Sequence, residues 1–314
     1  MSSGEPRIER VEAEHGPAVQ SAALNLVLRG LPEEVRESYV AGLISAAGGD
    51  SDLLAELWHC CDPRTGNLYG AAWAQTKPGG AAIVWPPQWN RRLPSGIVDP
   101  LLRKLLTSLA ERGVTLAQSL LPDLKDPAAN TLAGCGFKHG VDLQYLAADV
   151  DPRDLPTAPA DEDFAFEKYQ SHDEARLVEI VEQTYIETRD CPALDGLRTA
   201  ADSLTDYRTI GASGDSLWRI VRRAEQDIGC LLTADHPSQS QVELVYMGVV
   251  PSARGLGGGA AIVREALRIA AKLGRAQVVL AVDATNDPAA KIYRHYGFAH
   301  FETRTVMICR LEPK

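Results

Sequence analysis

Apolar and polar positions follow two distinct periods in the C-terminal half of this chain. Val242 to Val250 is an almost continuous apolar run, ended by Pro251-Ser252-Ala253, and reads as a buried strand. From Ala260 to Leu273 the apolar positions recur at helical spacing. Val263, Ala266, Leu267, Ala270 and Leu273 share one face, with Arg264, Glu265, Arg268 and Lys272 off it. Val278 to Val282 reads as a second buried strand. Asp287 as cap and Pro288 in the first turn then predict a short helix carrying Tyr293. Gly297 suits the left-handed position that ends it, and Thr303 to Leu311 reads as a further strand.

The same pattern occurs earlier in faded form. Shifting the sequence by 161 residues lays Gly96 on Gly257, Arg103 on Arg264, Leu106 on Leu267 and Gly113 on Gly274. Asp126-Pro127-Ala128-Ala129 falls on Asp287-Pro288-Ala289-Ala290, and Gly136-Phe137 on Gly297-Phe298. The identities gather at caps and turns, where backbone geometry restricts residue choice. A repeat this long implies two domains rather than a solenoid. The proline- and acid-rich stretch 151–160 reads as a linker between residues 1–150 and 161–314. Each half is long enough to bury a core of its own.

Between the strand and the helix lies Arg254-Gly255-Leu256-Gly257-Gly258-Gly259. A glycine loop that opens a helix favours anions, because the first helical N–H groups lack intrahelical partners and the dipole is positive there. Gly255, Gly257 and Ala260 also satisfy the dinucleotide pattern G-x-G-x-x-A, with Asp283 near the spacing of a ribose-binding acid. That fingerprint normally opens a long run of βαβ units, and only about fifty residues follow here.

Arg254-x-x-Gly257-x-Gly259 resembles the coenzyme A pyrophosphate loop of the GNAT acetyltransferase superfamily. Asn286, Ala289, Tyr293, Gly297 and Phe298 match that family's N-x-x-A-x-x-x-Y-x-x-x-G-F pattern position for position. Glu243, eleven residues before Arg254, stands where some members carry a catalytic glutamate. The resemblance covers residues 162–311 and implies a mixed α/β fold with two tandem GNAT-like domains. In the first, Leu93 answers Arg254, Val98 answers Gly259, Lys125 answers Asn286, Leu132 answers Tyr293 and Ala82 answers Glu243. Pro94 and Pro100 also disturb its loop, so this copy keeps the scaffold and is degenerate as a cofactor site, unless Arg91 or Arg92 stands in for Arg254.

What the resemblance implies chemically is acetyl transfer from acetyl-coenzyme A, or another acyl-coenzyme A, to an amine by direct attack in a ternary complex. The cofactor contacts would come from Met247, Gly248, Val249 and Val250 on the strand. Gly255, Leu256, Gly257, Gly258, Gly259 and Ala260 would supply the pyrophosphate loop. Arg254, Asn286, Ala289 and Tyr293 complete the set. A splay of the strand beside its neighbour would free N–H groups for the cofactor and the developing oxyanion. Glu243 is the candidate base, acting through water, and Tyr293 the candidate acid for the leaving sulfur. Glu243 is the lone charge of its apolar run, either buried with a task or lying at the strand's exposed start. Tyr293 is either that acid or an aromatic packed under the sheet. The acceptor wall would lie between Tyr185 and Thr209, with Glu187, Arg189, Asp190, Asp195, Arg198, Asp202, Asp206, Tyr207 and Arg208. The same charges equally suit a solvated helical face. A non-catalytic coenzyme A-binding sensor or scaffold is the alternative reading.

Composition narrows the partners. The net charge of −10 argues against nucleic acid and fits a cationic amine in a small molecule or peptide. Cys60, Cys61, Cys135, Cys191, Cys230 and Cys309 contain no C-x-x-C pair, so the sequence predicts neither a metal site nor a disulfide framework. Small core cysteines in a reducing cytoplasm are the expectation. No apolar run is long enough to span a membrane, and no secretory signal is visible. Trp85, Pro86, Pro87 and Trp89 form an aromatic-proline cluster, read as core packing or an exposed interaction surface.

Overall fold

The computed structural model describes residues 5–49, 52–90, 98–153, 163–194 and 196–312. In chain order its elements are β1 (Arg7–Arg10), α1 (Gly16–Val27), α2 (Glu33–Ala47), β2 (Leu57–Cys61), β3 (Leu68–Lys77), β4 (Ala81–Trp89), α3 (Val98–Glu111), β5 (Leu116–Leu121), α4 (Pro127–Gly134) and β6 (Lys138–Asp149). There follow β7 (Phe164–Lys168), α5 (Glu174–Tyr185), α6 (Ala200–Tyr207), β8 (Arg219–Arg223), β9 (Gln226–His236), β10 (Gln241–Val249), α7 (Gly258–Lys272), β11 (Gln277–Asp283), α8 (Asp287–His295) and β12 (Ala299–Arg310). The repeat seen in sequence is a repeat of elements. β4, α3, β5, α4 and β6 recur in the same order as β10, α7, β11, α8 and β12.

Two compact units result, Met1–Gly140 with Thr305–Lys314, and Val141–Arg304. In the first unit the sheet runs β1-β2-β3-β4-β5 and is completed by Thr305–Arg310 of β12, antiparallel to β5. In the second it runs β7-β8-β9-β10-β11 and is completed by Leu143–Asp149 of β6, antiparallel to β11. These units differ from the sequence halves 1–150 and 161–314 by the last strand of each half. Of the stretch read as a linker, 154–160 lies outside the described residues, as do Leu93, Pro94, Gly96, the Arg91–Arg92 pair and Asp195.

The second unit's core lies on both sheet faces. Val242, Leu244, Val278, Leu280 and Val282 pack with α7 on one side. Ile220, Cys230 and Leu232 pack with Leu177, Ile180, Val181 and Leu204 on the other. The predicted face of α7 is buried apart from Leu273, which is partly so. Arg264 and Glu265, expected off that face, are buried as well. The reason is a second neighbour: Arg264 reaches over the Tyr296 ring, 5.4 Å from its centroid, and donates to the Tyr296 hydroxyl at the end of α8. Its counterpart Arg103 donates to the Gly134 carbonyl at the end of α4, 2.7 Å away. The matched arginines thus tie each helix to the next, a structural task.

The first unit keeps this frame and changes its details. Trp85 stacks on buried Trp73, with centroids 5.8 Å apart, and Pro87 is buried, so the aromatic-proline cluster is mostly packing. Five of the six cysteines are buried thiols and Cys191 is half-buried. Among the described residues, no helix is long and apolar enough to cross a membrane.

Candidate functional site

The site grows from the point where β10 leaves β11. The parallel ladder pairs Gln241–Leu244 with Gln277–Leu280 and stops there, although β11 continues to Asp283 and β10 to Val249. A bulge between Leu244 and Tyr246 turns β10 away at that point, while its ladder with β9 resumes at Tyr246 and runs to Val249. Val250 donates its N–H to Ile228 on the β9 side, at 2.9 Å. Strand alternation therefore points the amides of Val249 and Met247 at the splayed edge.

Gly248 lies between them because α5 crosses here. A Cβ at this position would stand 2.6 Å from Thr184 Cβ, so the close approach that glycine permits is to a helix. Thr184 bonds the Val181 carbonyl at 2.6 Å and the Tyr246 hydroxyl at 2.7 Å, which fixes that contact. Tyr207 stacks on Tyr246 at 6.1 Å, and Tyr185 meets it edge-on at 5.9 Å.

The loop after β10 makes one 3-10 turn, Pro251–Ala253, and then uses left-handed backbone at Gly255 (φ 79°) and Gly257 (φ 90°). Side chains resist these angles, and the turns aim the first amides of α7 outward. Gly258 and Gly259 begin the helix, with Gly259 so near Ile292 that a Cβ would lie 3.1 Å from its Cδ1.

Arg254 does not point at this anion cradle. Its Nε donates to the Val249 carbonyl at 3.1 Å and Nη1 to that of Glu187 at 3.1 Å. Nη2 donates to Thr184 at 3.0 Å and Ile186 at 2.7 Å. The guanidinium clasps the C-terminal end of α5 and the loop beyond it. That loop is bracketed by Glu187 (φ 53°) and Cys191 (φ 49°), angles that cost non-glycine residues energy unless the surroundings hold them.

Together these pieces line a cleft of about 710 Å³ within the second unit. Met247, Gly248, Val249, Arg254, Gly255, Gly257, Gly258, Gly259, Ala260, Asn286 and Ala289 line it, as do Glu187, Arg189 and Asp190 of the expected acceptor wall. Val250 and half-exposed Leu256 face a neighbouring pocket instead. Glu243 and Tyr293 are not in the cleft lining. The Glu243 carboxylate is partly exposed and meets His236 Nε2 at 2.8 Å, so it already has a hydrogen-bond partner outside the cleft. Tyr293 is buried against Phe298 at 5.5 Å; burial, and secondarily the charge of Asp190, pushes its phenol well above the usual range. Asn286, rather than Asp287, caps α8, accepting from Ala289 N–H at 3.4 Å. In the faded copy the cap is Asp126.

Asp190 is the partly buried member of the wall's three cleft-lining charged residues, beside exposed Glu187 and Arg189. Burial raises its carboxyl above the ordinary aspartate range, opposed by the Asp283 N–H at 3.2 Å and by Asn286. Asp283 itself is buried and accepts from Cys191 and Thr285, which leaves it no ribose to bind. Among the wall residues set further back, Arg198 pairs with Asp206 at 3.3 Å. Arg208 pairs with Glu174 and Asp215, and Asp202 closes the capping box of α6. Thr184, Thr188, Tyr246, Ala253, Pro288 and Ile292 line the cleft without having been singled out from sequence. Thr188 falls inside the expected wall, Pro288 opens the motif helix, and Ile292 stands one helical turn after Ala289.

Residues 181–298, which span the splay, the loop and α8, match the Acetyltransferase (GNAT) family. The chain carries a GNAT acetyltransferase domain. The GNAT domain's relatives include the mycothiol acetyltransferase of Acidothermus cellulolyticus, 38% identical over 71 residues, 23% of this chain and 22% of that protein. The mycothiol acetyltransferase of Amycolatopsis mediterranei is 28% identical over 209 residues, 64% of this chain and 67% of that protein. The first of these matches thus spans under a quarter of the relative's length. A tandem GNAT protein from the clavulanic acid biosynthesis pathway superposes with a TM-score of 0.56 at 14% identity, covering 99% of this chain and 100% of that one. The fold is therefore that of a tandem GNAT protein, and the family match falls in its second unit.

Proposed function

We propose that this protein transfers an acetyl group from acetyl-coenzyme A to an amine of a small molecule or peptide, using the cleft of the second unit. The observation that carries the reading is the end of the β10–β11 ladder at Leu244, which turns the Met247 and Val249 amides toward the edge beside the glycine loop. The cradle fits a pyrophosphate: left-handed Gly255 and Gly257 direct amides outward, and no side chain at 257, 258 or 259 obstructs the approach. Acetyl-coenzyme A, when bound, supplies a thioester whose C–S bond breaks as the amine nitrogen forms the new C–N bond. The Met247 and Val249 amides orient the pantetheine arm and polarise the reacting carbonyl.

The amine must lose a proton. Glu243, hydrogen-bonded to His236, takes it through water, while Asp190, which lines the cleft, holds the cationic amine. Tyr293 keeps its proton at neutral pH and is the donor for the departing thiolate. The relatives' name puts mycothiol-related amines first in an acceptor panel.

Isothermal titration with acetyl-coenzyme A, with NADH as control, tests the reading. One site per chain, lost in Gly257→Glu, is expected. Failure to bind, or binding of NADH alone, removes it. A second reading, a coenzyme A-binding sensor without catalysis, is favoured by the absence of Glu243 and Tyr293 from the cleft lining. Thiol release with an amine panel separates the two, because a sensor binds and releases no thiol.

A further inference from the structure

We propose that Glu9, His15 and His59 in the first unit form a binding site for a divalent transition-metal ion of the zinc type. The register of β1 on β2 places Glu9 directly opposite His59, so both side chains leave the same sheet face. The chain then turns through a 3-10 helix, Ala13–His15, which returns His15 to that face. Glu9 Oε1 lies 3.3 Å from His59 Nε2 and 3.8 Å from His15 Nε2. The three ligand atoms all lie within 4.8 Å of one another. A tetrahedral ion with bonds of about 2.0–2.1 Å holds its ligands roughly 3.3–3.5 Å apart, so closing the widest gap by at most about 1.5 Å admits it.

The surroundings suit an ion. Arg7 takes the other carboxylate oxygen of Glu9 at 2.5 Å, which orients Oε1 toward the histidines. His15 Nδ1 accepts the Glu12 N–H at 2.9 Å and lies 3.3 Å from the Glu12 carbonyl, so metal binding through Nε2 requires the ring to turn a protonated Nδ1 onto that carbonyl. Two imidazoles and one carboxylate are a borderline donor set that prefers zinc, cobalt or nickel over calcium and magnesium. His59 is buried whereas Glu9 and His15 are half-buried, so a fourth position opens toward water. Such an ion clasps β1 and the 3-10 turn to β2 and couples their order to metal binding. The adjacent thiols of Cys60 and Cys61 are outside the set.

Titration of the metal-free full-length chain with Zn2+ tests the site, alongside the visible spectrum of the Co2+ form. One ion per chain is expected, with the intense visible bands of tetrahedral Co2+ and a higher unfolding midpoint. Glu9→Gln and His15→Ala, both at partly exposed positions, are expected to lose the ion while remaining folded. His172→Ala, at an exposed histidine of the second unit, is expected to retain it. The proposal is overturned by absence of binding, by retention of the ion in His15→Ala and Glu9→Gln, or by the weak spectrum of six-coordinate Co2+.

Discussion

Arg254 carries the sharpest test, because its place in the motif suggests a phosphate contact and its hydrogen bonds describe a clasp. In Arg254→Ala four carbonyls, those of Thr184, Ile186, Glu187 and Val249, lose their donor. A hydrogen bond to a charged donor contributes about 1.5–3 kcal/mol when buried. Here the four share one exposed guanidinium and the carbonyls rehydrate, so about 2 kcal/mol is expected for the set. For a unit of this size that lowers the midpoint by roughly 4–8 °C in scanning calorimetry. Release of the 187–191 loop also displaces Asp190, so the acceptor's KM rises more than that of acetyl-coenzyme A. Arg254→Lys, with the charge but not the fork, is expected to behave like alanine. Titrations with acetyl-coenzyme A at two salt concentrations complete the assay. A midpoint unchanged within about 1 °C, with weaker and salt-sensitive cofactor binding rescued by lysine, refutes the clasp and restores the phosphate contact.

Further outcomes follow from neighbouring residues. Gly248→Ala places a Cβ 2.6 Å from Thr184 Cβ and is expected to cost about 2 kcal/mol in urea denaturation and to lower acetylation; an unchanged midpoint means that α5 yields freely. Burial raises the Asp190 carboxyl above its unfolded value of 3.8, so its ionisation destabilises the native state as pH rises through the folded value. The stability advantage of Asp190→Asn over the parent is thus expected to grow from pH 4 to pH 7, measured by thermal melts, while turnover of cationic amines falls. The Arg275 pair at 2.6 Å depresses the Asp235 carboxyl below 3.8. Its stabilisation is present above that pH and is lost as pH falls through the depressed value, a dependence that Arg275→Met should abolish in acid melts.

The fold of the C-terminal half was written in local patterns. Helical spacing sets α7, glycine marks the turns that need positive φ, and proline marks the first turn of α8. These depend on neighbours a few residues apart, as does the glycine cradle itself. The repeat, the loop and the match around Asn286 and Tyr293 were therefore readable without coordinates. Other features depend on residues far apart in sequence, and only tertiary structure decided them. Pairing decides that Thr305–Arg310 completes the first unit's sheet and Leu143–Asp149 the second's. The burial of Arg264 follows from Tyr296, the pairing of Glu243 from His236, and the use of Arg254 from the end of α5. Glu9 and His59 are fifty residues apart, so no spacing rule joins them, and one antiparallel register does. Residue type and local period specify elements and turns, whereas the partner of each polar group is fixed only when those elements pack.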